Sequence, residues 1–292
     1  MIWIAIVLGL ILGHLIRRAT PYLIFLADKK MPFSWPGIEL MTAAMFAIAQ
    51  LNSLSTSMLI KWCLCALILV AAMASDYYKK VISDWVCYTG IPAGILLSFV
   101  FAEDMVGFFG GVSTLHYFGI GMHSFWAGPV LSVCGLVLGF VSLEGFRRIF
   151  GALGGMEVMG MGDSLLLALV GSFVGPGLVL FSILPASIIG MLHWPYYRLV
   201  RGINYLPFGP GIAMSGYLMA FYHVYLLQWI DRLFAWYFSL GRSANLLVFL
   251  GLFGLLIILV FRIRARAAHY SEMIEKEYQD LEAQSDYGKK GK

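Results

Sequence analysis

The chain is short of charge. Only 12% of its 292 residues are Asp, Glu, Lys or Arg, against 60% hydrophobic ones, and the mean hydropathy is +0.83. Soluble domains carry about a quarter charged residues, so a water-soluble globule is excluded. Sixteen acids and twenty bases leave a formal charge of +4, too few charges to build a nucleic-acid-binding surface. Cysteine is scarce too. Cys63, Cys65, Cys87 and Cys134 all lie inside apolar runs with no C-x-x-C pair, which excludes a zinc knuckle and argues against a disulfide framework. Histidines 14, 116, 123, 193, 223 and 269 are scattered without H-x-x-x-H spacing, so no metal centre is expected. Nothing basic precedes the first apolar run, and Arg17 and Arg18 follow it, an order that reads as a membrane helix and not as a secretory signal. No internal repeat is visible, nor a pair of matching broken helices of the kind transporters use.

Long apolar segments are what the chain has instead. Runs at about 2–16, 38–56, 58–75, 86–102, 125–143, 163–182, 184–197, 208–229 and 244–261 are candidate spans. The sixth and seventh are interrupted by Gly175, Pro176, Gly177 and Pro185. The expected fold is an all-α polytopic membrane protein of about nine transmembrane helices, eight or nine, with the N-terminus outside and the C-terminal tail cytoplasmic. Threading nine spans from an outside start puts seventeen of the twenty bases inside and leaves Lys61, Arg232 and Arg242 outside, as the positive-inside rule requires. The expected division is 1–75, three N-terminal helices with a short cytoplasmic loop; 76–230, a core; 231–267, an extra helix; and 268–292, a polar tail. Residues 103–124 read as a Gly-rich outer loop, and SEMIEKEYQDLEAQ in the tail as a short solvated helix with Glu272 and Lys276 four apart.

Most acids have ordinary surroundings: six lie in the tail, Glu103, Asp104 and Asp231 outside, and Asp28 and Glu144 beside bases in inner loops. Asp84 suits a helix start. Glu39, Asp76, Glu157 and Asp163 remain, at the edges of apolar helices. Asp76 closes the run ALILVAAMAS and Asp163 opens LLLALVG, so the topology sets both at one depth on the inner face although 87 residues separate them. Ionisable groups at such depth are costly. Two close carboxylates share one proton; the ionised member can take a proton from water while the protonated member polarises a peptide carbonyl. Both could equally be interfacial acids that cap helices or pair with nearby lysines. Asp163 lies in GMGD (160–163), where Gly160 and Gly162 permit close backbone approach, and LPFGP (206–210) prevents a regular helix and leaves backbone groups free to line a site.

At these residues the sequence resembles the type IV prepilin peptidases, the GxGD class of intramembrane aspartic proteases. EVMGMGDSLLLALVGSFVG (157–175), DYYKKVISD (76–84), LPFGPGIAMSG (206–216), WPGIELMTAAMFA (35–47) and LGLILGHLIRR (8–18) match its blocks in order, over about residues 1–220. The resemblance implies that Asp76 and Asp163 form a catalytic pair, that Glu157, Gly160, Gly162, Pro207, Phe208 and Gly209 shape the site, and that Glu39 is a further candidate. It implies an aspartic endopeptidase at the cytoplasmic face of a bacterial inner membrane, acting on prepilin or pseudopilin precursors of type IV pili or type II secretion. It needs no cofactor for proteolysis, and S-adenosylmethionine only if the new N-terminus is also methylated. The family's cysteine-rich zinc loop is missing here. Ser83 stands where proline is usual and Leu165 where lysine is usual. The competing readings are a proton- or cation-coupled transporter and an inactive assembly scaffold.

Overall fold

In a computed structural model the chain is described over residues 2–23, 37–79, 82–154, 160–201 and 208–239, with shorter stretches between 241 and 262. Among the described residues there is no strand, and up to residue 239 the helices follow in order: α1 (Ile2–Leu23), α2 (Gly37–Asn52), α3 (Thr56–Lys79), α4 (Asp84–Val100), α5 (Ala102–Gly107), α6 (Gly111–Tyr117), α7 (Ala127–Gly154), α8 (Met161–Arg201) and α9 (Gly209–Ser239). Four stretches are long and apolar enough to cross a membrane: Ile2–Tyr22, Thr56–Tyr77, Ala127–Ala152 and Met161–Leu192. Asp84–Val100 and Asn245–Leu255 are shorter apolar helices. The chain is therefore an all-α membrane protein. The proposed tail helix at 268–292 lies outside the described residues.

The helix ends follow from local chemistry. Ser55 accepts the Met58 N–H on its Oγ at 3.1 Å, which caps α3. Ser83 precedes α4 in extended conformation, and Asp84 places its charge in the first turn, where the helix dipole is positive. The expected outer loop at 103–124 instead contains α5 and α6. Gly110, at φ 82°, opens α6 in a left-handed conformation that a side chain resists.

Two compact units divide the chain. The first comprises residues 1–144 and 160–225 and holds α1 to α6, most of α7, α8 and the first half of α9. The second, residues 145–159 and 226–292, contains stacked pairs Phe146–Phe150 and Phe234–Phe238, and a hydrogen bond from the Tyr237 hydroxyl to the Asn245 carbonyl at 3.1 Å.

Within the first unit α8 is central: 78% of its apolar window is buried, against 11% for α1. A straight helix of 41 residues would be about 60 Å long, twice the hydrocarbon thickness. Gly175, at φ 80° and ψ −179°, breaks it. A Cβ on Gly139 of α7 would lie 2.6 Å from the Leu167 carbonyl oxygen and 3.1 Å from Val179 Cγ2. Those two residues, about 18 Å apart in a continuous helix, therefore lie side by side, and the chain folds back at Gly175 into a hairpin of arms 161–174 and 176–201. These arms fall on the sixth and seventh apolar runs of the sequence. Their boundary falls at Gly175 and not near 183, because Pro185 is absorbed into the second arm while Gly175 adopts a backbone closed to other residues.

Small residues set the crossing of α7 with the hairpin, as expected where apolar burial alone cannot distinguish a helix from lipid. Gly135 and Gly171 lie backbone to backbone, and the Ser132 hydroxyl donates to the Ser172 carbonyl at 2.7 Å. On the other flank, the Tyr217 hydroxyl donates to the Met45 carbonyl at 2.8 Å, and Trp62 packs edge-on to Tyr217 and Phe221. Two residues read as solvated are buried: Lys61, 1% exposed and 5.0 Å over the Trp62 ring, and Glu144, 8% exposed. The sequence shows the charge, and only packing shows the cover. Replacing Gly171 with Leu should destabilise the protein by about 1–3 kcal/mol through overpacking. Gly145→Ala, where nothing lies within 4 Å, should be neutral or better. Thermal melting in detergent reads both.

Candidate active site

Three helices, α3, α8 and α9, converge on the two aspartates. α3 carries Asp76 in its last turns, and the side chain is 5% exposed. α8 carries Asp163 in its first turn, half-buried. The two carboxylates are close enough to repel each other electrostatically. Packing of Gly162 against Ile82, close to both acids in sequence, brings these distant residues to one end of the unit.

Each carboxylate rests on a helix start. Gly160 precedes α8, its N–H donates to the Asp163 carboxylate, and its carbonyl accepts the Asp163 N–H at 3.2 Å. This is the reciprocal geometry of a capping box, with the acid at the third helical position reaching back to the cap. Asp76 lies over the first residue of α9: a Cβ on Gly209 would sit 2.5 Å from its Oδ2 and 3.0 Å from its Cγ. Helix starts carry orphan N–H groups and a positive dipole end, so both positions favour negative charge.

The other predicted residues divide into three groups. Gly162 packs against Ile82, with a Cβ there falling 3.1 Å from the Ile82 Cβ, and Phe208 is half-buried just before α9. Glu39 is 7% exposed, and its Oε1 accepts from Arg17 Nε at 2.8 Å and lies 3.3 Å from His14 Nδ1. Gly13 allows this approach, since a Cβ there would fall 2.7 Å from the Glu39 Cα. Contacts Met45–Tyr217 and Asn52–Tyr222 show that α2 and α9 run parallel, so Glu39 and Gly209 occupy the same end of the unit. Glu157 and Pro207 lie outside the described residues.

Sequence reasoning missed the partners. Arg17 and His14 were read only as an inner-loop base and a scattered histidine, though a buried acid at position 39 demanded a nearby cation. Ser75, next to Asp76, is fully buried, and its hydroxyl donates to the Ala72 carbonyl at 2.8 Å and accepts the Ser83 N–H at 3.1 Å. Among the described residues no group of three or more His, Cys, Asp or Glu is placed to hold a metal ion.

Chemically, the arrangement offers two interacting carboxylates at a helix-lined end, one enclosed and one partly accessible. Comparison with known proteins points the same way. The type IV leader peptidase family matches residues 63–194. A "prepilin leader peptidase/N-methyltransferase" of Pseudomonas putida is 28% identical over 177 residues, 60% of this chain and 49% of the relative. A "type 4 prepilin-like proteins leader peptide-processing enzyme" of Escherichia coli O78:H11 is 28% identical over 194 residues, 65% and 61%. A Dichelobacter nodosus prepilin leader peptidase/N-methyltransferase reaches 34% over 94 residues, 31% and 32%. The chain thus spans about half to three-fifths of the length of the first two. No solved structure matches it. Residues 63–194 include both aspartates and the whole α8 hairpin turn, and over them the chain is similar to the type IV leader peptidase family.

Proposed function

We propose that this protein is an aspartic endopeptidase that removes the leader of type IV prepilins or pseudopilins at the cytoplasmic face of a bacterial inner membrane. The single observation that carries the reading is the approach of Asp76 and Asp163 from different helices to one end of the unit. Asp163 and Asp76 carry the chemistry without a metal. The ionised carboxylate takes a proton from water, the resulting hydroxide attacks the scissile carbonyl, and the protonated carboxyl hydrogen-bonds the developing oxyanion. The proton then passes to the leaving amine. Gly209 keeps Asp76 in place by having no side chain, Gly160 and Gly162 orient Asp163, and Phe208 and Glu39 lie at the same end of the unit; for Glu157 and Pro207 a role in the site rests on the sequence resemblance alone. The inner-face assignment rests on the nine-span topology expected from the sequence, with 76–230 as the catalytic core, 1–75 as the flanking helices, 231–267 as an added helix and 268–292 as a tail.

Methylation of the new N-terminus is a separate activity, suggested by relatives named as N-methyltransferases. A described cavity of about 330 Å³, lined by Ser57, Met58, Val100, Glu103 and His123, has the size for a small ligand. It lies at the start of α3, about 27 Å along that helix from Asp76, so it does not fit S-adenosylmethionine to this chemistry. No step is routed through that donor. Mass spectrometry of the mature pilin decides: an unmodified N-terminal residue removes methylation from the reading.

Purified protein in detergent, given a prepilin, should release the leader. Asp76→Asn and Asp163→Asn should each lower kcat by roughly 10²- to 10⁴-fold, the range of general acid–base catalysis, while still inserting. Normal processing by either variant refutes the pair. The wild-type rate against pH should be bell-shaped, because one carboxylate must be charged and the other protonated; a flat profile counts against the mechanism. Gly209→Ala drives a methyl into the Asp76 carboxylate, and about 10²-fold loss of kcat is expected with little change in melting temperature.

A further inference from the structure

The link from α3 to α4, beside Asp76, contains a brace that the catalytic reading does not use. Ser75 sits one residue before Asp76, fully buried, and its hydroxyl reaches across to the backbone N–H of Ser83 at 3.1 Å while donating to the Ala72 carbonyl at 2.8 Å. Both capacities of that hydroxyl are spent inside the fold. The residue before Ser83 is Ile82, buried, whose Cβ faces Gly162 so closely that a Cβ on the glycine would fall 3.1 Å away. Gly162 directly precedes Asp163. A continuous path of packed and hydrogen-bonded atoms thus runs from Asp76 through Ser75, Ser83 and Ile82 to Gly162 and Asp163. It ties together two residues that no short stretch of sequence connects.

We propose that Ser75 is a positioning residue for the Asp76–Asp163 pair, acting through the Ser83 N–H and the Ile82–Gly162 contact to set the spacing of the carboxylates. Its kinetic consequence rests on the peptidase reading above. Position 83 makes the point sharper. Its φ of −67° is the angle proline imposes, so the backbone there would accept a proline ring by dihedral alone. The N–H direction, however, is occupied by the Ser75 oxygen. A proline ring carbon replaces the hydrogen at about 1.5 Å from nitrogen, and would enter the space of an oxygen that lies 3.1 Å from that nitrogen. Serine at 75 and a donor at 83 are therefore a matched pair, and proline at 83 is compatible only with a smaller residue at 75.

Matching predicts a non-additive set of variants. In the full-length protein in detergent, Ser75→Ala should lower kcat for prepilin cleavage about tenfold and leave KM within about twofold, because the carboxylates remain but lose their spacing. Ser83→Pro alone should be the worst, about 10²-fold down in kcat and lower in melting temperature. The double variant S75A/S83P should recover to the level of Ser75→Ala or better. Hydrogen exchange of the Ser83 amide should be about tenfold faster in Ser75→Ala than in wild type, as for an amide freed from its acceptor. Three results overturn the proposal: unchanged exchange at Ser83, an unchanged kcat per folded molecule in Ser75→Ala, or a double variant no better than Ser83→Pro. A wild-type protein that cuts no prepilin sinks the peptidase reading instead. Exchange and the melting temperatures of the three variants still decide the brace, because they need no substrate.

Discussion

A carboxylate at the end of an apolar helix has lost much of its hydration, and a second one brought beside it adds repulsion. Everything else about this end of the unit can be understood as the accommodation of that pair. Asp163 is held by the backbone of Gly160 in a reciprocal cap, and Asp76 is laid on the first residue of α9. At Asp163 a backbone amide at a helix start replaces water as a source of positive potential. Glycine recurs at these contacts for a plain reason: only a residue without a Cβ lets a carboxylate or a neighbouring backbone come so near.

The same device operates through the membrane-embedded part. In lipid, apolar faces gain little by meeting one another, so association depends on close backbone approach and on polar links between helices. Gly135 against Gly171, Gly139 against both arms of the hairpin, and Ser132 bonded to the Ser172 carbonyl supply both. The hairpin turn at Gly175 brings α8 back toward the end where it began. The second arm then meets the start of α9, with Gly211 against the Ala186 carbonyl. Asp163 and Gly209 thereby come to the same end, which is how the segment after α8 can reach Asp76.

Charge placement was legible only where it followed the rules of the membrane surface. Asp84, in the first turn of α4, follows such a rule. Glu39, Lys61 and Glu144 do not. Glu39 is covered and paired with Arg17 of α1, with His14 beside it, Lys61 lies over an indole ring, and Glu144 is covered although it was read as a solvated loop acid. Burial of a charge depends on which helix lies next to it, and neither hydropathy nor periodicity along one segment contains that information. Ser75 is the same case in miniature. Read along the chain it is a small residue in an alanine-rich run; in the fold it accepts an N–H eight positions onward.

From the amino acids alone come the membrane class, the helices, and the presence of two isolated acids at span edges with glycines around one of them. These are local properties: apolar length, charge spacing, and the backbone freedom of glycine and proline act over a few residues. Tertiary structure decided that α8 turns back at Gly175, that Gly209 underlies Asp76, that Arg17 reaches Glu39, and that Ser75 joins Ser83. Each of these is an approach between backbones or side chains far apart in sequence, selected by which small residues let helices close to contact, and such contacts exist only once the whole bundle has packed.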